Sequence, residues 1–355
     1  MRPATAHTGE PRLPCIPGQF IYQLSIVLLI LLAGAAASAQ DEPPLRLVQT
    51  IPMPDIDGRI DHFSIDLKGQ RAFLAALAKN TIEVVDLKAG QVTQTLPGYA
   101  KPQGVRYVAE LNRLFVTTGL DGALWTLDGQ SLSVVDTAHV SVGADAIGYD
   151  PGSKQLYVGS GGSDAHKESG DLTVFDAVTG AKVDTIVTDA HAGGSVVDKD
   201  GRNLYVLVPE KSQVVVLERK THAKVVTWTI PGIQKDVAID LDGKTHRLFL
   251  GVRSPPSVVV LDASSGNVVA SVETVATLDG LAFDPSTKRI YTSGGEGFVD
   301  VTQQKDADHY ERVARIPTGP NARTSLFVPE WRRLYVAVPR DGDRNAELLV
   351  FEAVR

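Results

Sequence analysis

A tripeptide of aliphatic, aromatic and aliphatic residues, preceded by a basic or polar one, recurs seven times along this chain of 355 residues. It reads Arg71-Ala-Phe-Leu74, Arg113-Leu-Phe-Val116, Gln155-Leu-Tyr-Val158, Asn203-Leu-Tyr-Val206, Arg247-Leu-Phe-Leu250, Arg289-Ile-Tyr-Thr292 and Arg333-Leu-Tyr-Val336. The aromatic positions are 42, 42, 48, 44, 42 and 44 residues apart. A near-constant period of that size marks a chain built from one repeated supersecondary unit.

Each unit carries a second apolar anchor upstream. Ile65, Tyr107, Tyr149, Val197, Phe283 and Phe327 lie eight residues before their aromatic, and Ile239 lies ten before. Turn sequences separate the two anchors, among them Lys68-Gly69, Pro151-Gly152, Asp200-Gly201 and Asp242-Gly243. Two short apolar runs around such turns predict a β-hairpin. A third strand follows, as in Ile82-Glu-Val-Val-Asp86, Leu172-Thr-Val-Phe-Asp176 and Val258-Val-Val-Leu-Asp262. A turn and a fourth strand, such as Gln91-Val-Thr-Gln-Thr95 or Lys182-Val-Asp-Thr-Ile186, close the unit. Valine, threonine and aromatic enrichment fits strands throughout.

Four antiparallel strands per repeat of about 40–45 residues predict an all-β, seven-bladed β-propeller. The seventh unit stops after Val350-Phe-Glu352 and lacks an outer strand. Leu45-Arg-Leu-Val-Gln-Thr-Ile-Pro52 resembles the other fourth strands. The expectation is that the N-terminal strand pairs into the last blade and closes the ring, sheltering the open edges. The domain is expected to span residues 45–355.

The repeats resemble those of bacterial YVTN-repeat, YncE-like propeller proteins, carried by Arg113-Leu-Phe-Val-Thr117, Gln155-Leu-Tyr-Val158, Arg333-Leu-Tyr-Val336 and the recurring Val-Asp-x-x-x-Gly turns. Tyr-Val-Thr-Asn itself occurs nowhere in full, and no Trp-Asp dipeptide is present. The resemblance implies a secreted or periplasmic propeller.

The N-terminus points the same way. Leu24–Ala37 is an apolar run shorter than the about 20 residues of a membrane span. It follows Arg2 and Arg12 and precedes Ala37-Ser-Ala39. That is the pattern of an export signal over residues 1–39, cleaved to leave Gln40 first, with residues 40–44 a polar lead-in. Cleavage removes Cys15, the one cysteine, leaving a mature chain suited to an oxidising compartment. Disulfide frameworks and multi-cysteine metal sites are excluded. The net charge of -7 argues against duplex nucleic acid as a partner. The mature chain is expected to be monomeric, with no membrane span.

A propeller's first strands line its central channel, and their starts share one face with the loops between strands two and three. At those starts stand Asp61, Gln103, Asp145, Gly193, Lys235, Asp279 and Arg323, with His62, His191 and Asp236 beside them. Concave clusters of polar groups are default binding sites. The candidate ligand-binding set is therefore Asp61, His62, Gln103, Asp145, His191, Lys235, Asp236, Asp279 and Arg323. Its carboxylates and imidazoles could take a divalent cation, calcium before zinc. Adjacent strand residues face opposite sides, which argues against a direct Asp61–His62 dyad. Asp306-Ala-Asp-His309 reads as a polar turn, and His139, His222 and His246 read as surface residues. There is no Gly-x-Ser-x-Gly elbow and no phosphate-binding loop motif. Two functions stay open: an exported binding or scaffold protein taking a small ligand or a protein partner, and a metal-assisted hydrolase or lactonase of propeller type.

Overall fold

The computed structural model describes residues 42–355, together with three isolated positions at 3, 4 and 9. The expected leader, its cleavage site and Cys15 lie outside the described residues. Residues 43–355 form one compact unit.

Seven four-stranded antiparallel sheets make up this unit. Blade 1 runs from Ile60 to Pro97, blade 2 from Pro102 to His139, blade 3 from Ile147 to Thr188 and blade 4 from Ser195 to Thr229. Blade 5 runs from Gln234 to Glu273 and blade 6 from Leu278 to Pro317. Blade 7 combines Thr324–Val328, Arg333–Val338 and Ala346–Ala353 with the N-terminal strand Leu45–Met53. That strand pairs antiparallel with Ala346–Ala353, from Leu45 opposite Ala353 to Met53 opposite Ala346. The ring is thus a seven-bladed β-propeller closed as the repeats predict. On the inner side, Thr324 Oγ1 donates to the Ile60 carbonyl at 3.2 Å, joining the last blade to the first.

The seven repeated aromatics are all buried, none more than 2% exposed. Several pack against the upstream anchor of the next blade. Phe73 meets Tyr107 at 5.7 Å between ring centroids, Phe249 meets Phe283 at 5.0 Å, and Tyr291 meets Phe327 at 5.1 Å. This explains the period. One aromatic per blade fills the wedge between twisted neighbouring sheets, where a buried aromatic contributes about 2–3 kcal/mol.

The turns after the third strands also follow from sequence. Asp86 accepts the backbone N–H groups of Lys88 and Ala89, and Asp176 and Asp262 accept the equivalent pairs. Gly90, Gly180 and Gly266 then take φ of 69–75°, the left-handed region that glycine enters at little cost.

Blade 4 puts His222 at that position, with φ of 58°. The surface expectation for His222 is incorrect. It is 7% exposed, packs edge-on to Tyr157, and places its ring nitrogens 3.2 Å from Asp184 Oδ2 and 3.0 Å from Gln155 Oε1. Lacking glycine, the turn folds this side chain back between blades 3 and 4. Asp306–His309 is an exposed polar turn as expected, with Asp306 accepting the Asp308 and His309 amides.

Helix among the described residues is limited to three 3-10 turns: Leu77–Lys79, Gly162–Ala165 and Pro209–Lys211. Each lies in a loop between strands two and three. No helix among the described residues is long and apolar enough to cross a membrane.

Candidate functional site

A cavity of about 1160 Å³ opens at the end of the channel where the inner strands begin. Residues from all seven blades line it. Inner-strand starts supply Gln103, Lys235 and Thr324, loops between strands two and three supply Asp164 and Glu210, and the end of blade 5's second strand, Arg247–Ser254, supplies Arg253. The topology requires this convergence, because each second strand returns to the face where the first began.

The inner strands do not start regularly. Register shifts occur between Ile60 and Phe63, Pro102 and Val105, Asp236 and Ala238, and Leu278 and Gly280. Each adds a residue that breaks the period-two alternation and re-aims side chains. In blade 1 the shift falls on Asp61 and His62. Instead of pointing apart, they offer ligand atoms that lie, with one from Asp145, within 4.8 Å of one another. The strict alternation expected of this pair is therefore corrected by the bulge.

The first half of the site is built on that trio. Asp61 is 1% exposed, and its Oδ2 accepts no hydrogen bond. Arg59 Nη2 bonds to Asp61 Oδ1 at 3.2 Å and stands 3.1 Å from Oδ2. Burial pushes the Asp61 carboxyl up to about 6; His62 and Arg59 oppose this, and Asp145 and Asp279 add to it. His62 Nε2 lies 3.7 Å from Asp145 Oδ1, and His191 Nε2 lies 4.0 Å from Asp145 Oδ2. Both separations exceed a hydrogen bond. His191 Nδ1 stands 3.2 Å from the Gly161 carbonyl, which can only accept, so Nδ1 carries the proton. Gly162, with φ of 64°, fits closely beneath this ring, and a Cβ there would lie 2.4 Å from the His191 backbone nitrogen.

The second half is cationic. Arg253 Nη2 lies 2.7 Å from Asp279 Oδ1, and Arg59 Nη2 lies 3.1 Å from Asp279 Oδ2. Arg253 Nε also donates to the Leu278 carbonyl at 2.7 Å. Arg323 has no carboxylate within 4 Å among the described residues, and reaches only Asn321 Oδ1 at 3.5 Å. Burial pulls the Arg323 guanidinium below its ordinary value, with Asp279 opposing and Arg59 and Arg253 reinforcing. Two guanidiniums thus pair with Asp279, and Arg323 acts on it from beyond ion-pair distance. At the rim, Lys101 Nζ pairs with Asp164 Oδ2 at 3.3 Å.

Of the residues singled out in the sequence, Asp61, His62, Asp145 and His191 come together in one half. Asp279 stands in the other, paired with Arg59 and Arg253 and not with Arg323, while Gln103 and Lys235 line the wall. Gln103 is 5% exposed and its Oε1 accepts no hydrogen bond. The Asp236 side chain lies outside what the structure describes. Arg59 and Arg253 were missed as site residues. Arg59 stands two residues before Asp61, just ahead of the strand that begins at Ile60, and Arg253 lies at the end of a second strand, so neither occupies the repeat position searched. An unmatched positive charge beside the inner-strand aspartates was the available signal.

No family model matches the chain, and no curated protein matches it. Among solved structures it is similar to a chain titled Kuenenia stuttgartiensis hydrazine synthase. The TM-score is 0.68 and the identity 16%, over 85% of this chain and 95% of that one. A likeness at that identity shows the propeller fold alone.

Proposed function

We propose that this protein is an exported binding propeller that takes a small anionic ligand in the mouth cavity. A propeller fold suits a binding or scaffold role, and the site supplies the specificity. The observation that carries the reading is the pairing of Arg59 and Arg253 with Asp279, with Arg323 nearby and holding no ion pair among the described residues. Arg59 and Arg253 line the concave mouth cavity, where guanidinium–anion contacts are strong. The apolar run at 24–37 and the Ala37-Ser-Ala39 site support export, and the repeated strand motif supports kinship with YVTN-repeat propellers. N-terminal sequencing of the exported protein is expected to read from Gln40.

Calorimetric titration with citrate, malonate and phosphate tests the ligand class. One anion is expected to bind one-to-one, more weakly as salt rises. Arg323→Gln and Arg253→Gln are each expected to weaken it by about 10–100-fold, the worth of one charge-assisted hydrogen bond. Arg323→Gln is the cleaner variant, since Arg323 holds no ion pair among the described residues. Binding unchanged by both substitutions contradicts the reading.

A second reading, metal-assisted hydrolysis, is favoured by the Asp61–His62–Asp145 trio. It predicts that a lactone or ester panel shows turnover abolished by a chelator and by Asp145→Ala.

A further inference from the structure

We infer that Asp61, His62 and Asp145 form a binding site for one first-row divalent transition-metal ion. The ligand atoms of these three side chains lie within 4.8 Å of one another, close enough for one cation to gather them with small side-chain movements.

What sets this trio apart from an ordinary polar cluster is how few donors reach it: Arg59 Nη2 bonds to Asp61 Oδ1 and stands 3.1 Å from Oδ2 without a hydrogen bond to that atom. Asp61 is 1% exposed with an Oδ2 that accepts no hydrogen bond, and Asp145 Oδ1 is likewise enclosed and unbonded. Buried carboxylate oxygens are almost always satisfied, so two in one small volume mark a place built for something else. Arg59 does not remove the need, because its one guanidinium is shared between Asp61 and Asp279. His62 and His191 face opposite oxygens of Asp145 at 3.7 and 4.0 Å, too far to donate to them. With Nδ1 donating to the Gly161 carbonyl, the His191 ring stands beside this carboxylate with Nε2 toward it. Two carboxylates brought this close repel, and a cation among them relieves the repulsion.

The donor set selects the ion. Two carboxylates and an imidazole suit zinc, manganese or iron. Calcium takes six to eight oxygens, which this trio does not supply. The trio also leaves coordination positions open. His62 and Asp145 keep 37% and 29% side-chain exposure and line the cavity, so those positions face it. Sites with three protein ligands and an open position are the kind that admit water or a ligand.

The site stands independently of anion binding, and its test uses metal alone. The purified protein, stripped with chelator and returned to metal-free buffer, is titrated with Zn²⁺ by calorimetry, and in parallel with Ca²⁺. One equivalent of Zn²⁺ is expected to bind, with Ca²⁺ at least about 10-fold weaker. His62→Ala and Asp145→Asn are each expected to weaken Zn²⁺ by at least about 100-fold, the upper end of what even outer-shell changes cost. His62 is partly exposed, and a circular-dichroism melt checks that each variant folds. His309→Ala, in the exposed turn outside the cavity, is expected to leave binding intact. Absence of one-to-one Zn²⁺ binding, binding that survives both substitutions, or binding lost only in His309→Ala overturns the assignment. Because no organic anion is present, failure here leaves the arginine half standing. Conversely, failed citrate binding in Arg323→Gln leaves this titration unchanged.

Discussion

A chain beginning at Asp55, without the strand Leu45–Met53, is expected to lose the folded monomer. That strand pairs along Ala346–Ala353 and buries Leu45, Ile51 and Met53, each at 2% exposure or less. Each buried side chain contributes about 1.5–3 kcal/mol. Together they amount to about 5–9 kcal/mol, comparable to the whole stability of a typical domain. The deletion also bares Ala346–Ala353, whose Leu348, Leu349, Val350 and Phe351 would become an unpaired apolar edge prone to pairing with other chains. Thermal melts should show a Tm lowered by at least about 8 °C or no cooperative transition, from an unfolding entropy of about 2.1 cal/mol/K per residue. Size exclusion should show aggregates. A synthetic peptide of residues 45–53 should restore part of the loss. A truncated chain that melts within about 2 °C of the full chain would show that the ring closes by other means.

Arg219→Ala is expected to lower stability by about 3 kcal/mol, the low end for breaking a buried ion pair. Asp150, at the inner hairpin of blade 3, is 0% exposed. Arg219 of blade 4 grips it from both nitrogens, Nε to Oδ2 and Nη2 to Oδ1, each at 2.6 Å. The Gly152 amide and Ser153 hydroxyl complete its partners at 2.8 and 2.9 Å. Burial alone would raise the Asp150 pKa, but Arg219 and these donors outweigh it and hold the carboxyl below its ordinary value. The sign of the pH effect follows. In the natural chain this contribution is full above the unfolded aspartate range near pH 4 and is lost as pH falls through the lower folded value. In Arg219→Ala burial dominates, so the carboxylate becomes a penalty at neutral pH that protonation relieves. The gap between the two proteins should be widest near pH 7, at about 5 °C in Tm, and should narrow on acidification toward pH 4. A gap that stays constant or widens toward acid would contradict this electrostatic origin.

Much of the architecture was legible in the residues. The aromatic of each second strand must be buried between blades, so its recurrence at Phe73, Phe115, Tyr157 and onward located every blade. The strand Leu45–Met53 could be matched to an incomplete seventh blade because its pattern repeats those of other fourth strands. The mouth was legible in part, since propeller geometry brings inner-strand starts together whatever their identity. Side-chain direction was not. Ile60-Asp-His-Phe63 places two polar residues in succession between apolar ones, which strict alternation forbids and a bulge permits. Read that way, the sequence would have allowed Asp61 and His62 to act together. His222 escaped for a related reason: its place in the turn is that of Gly90 and Gly180, and position in a repeat, not residue type, decided its burial. The pairing of Arg59 and Arg253 on Asp279 joins residues from blades 1, 5 and 6, and no local spacing encodes it.

The most direct measurement is a crystal structure of the protein soaked with Mn²⁺ and citrate, with the metal located by anomalous scattering. We expect one strong anomalous peak among Asp61, His62 and Asp145, and citrate density against Arg253 and Arg323 in the same cavity. Metal and anion both found elsewhere, at the opposite end of the channel or on the outer strands, with the mouth holding only solvent, would contradict the reading of this mouth as the binding site.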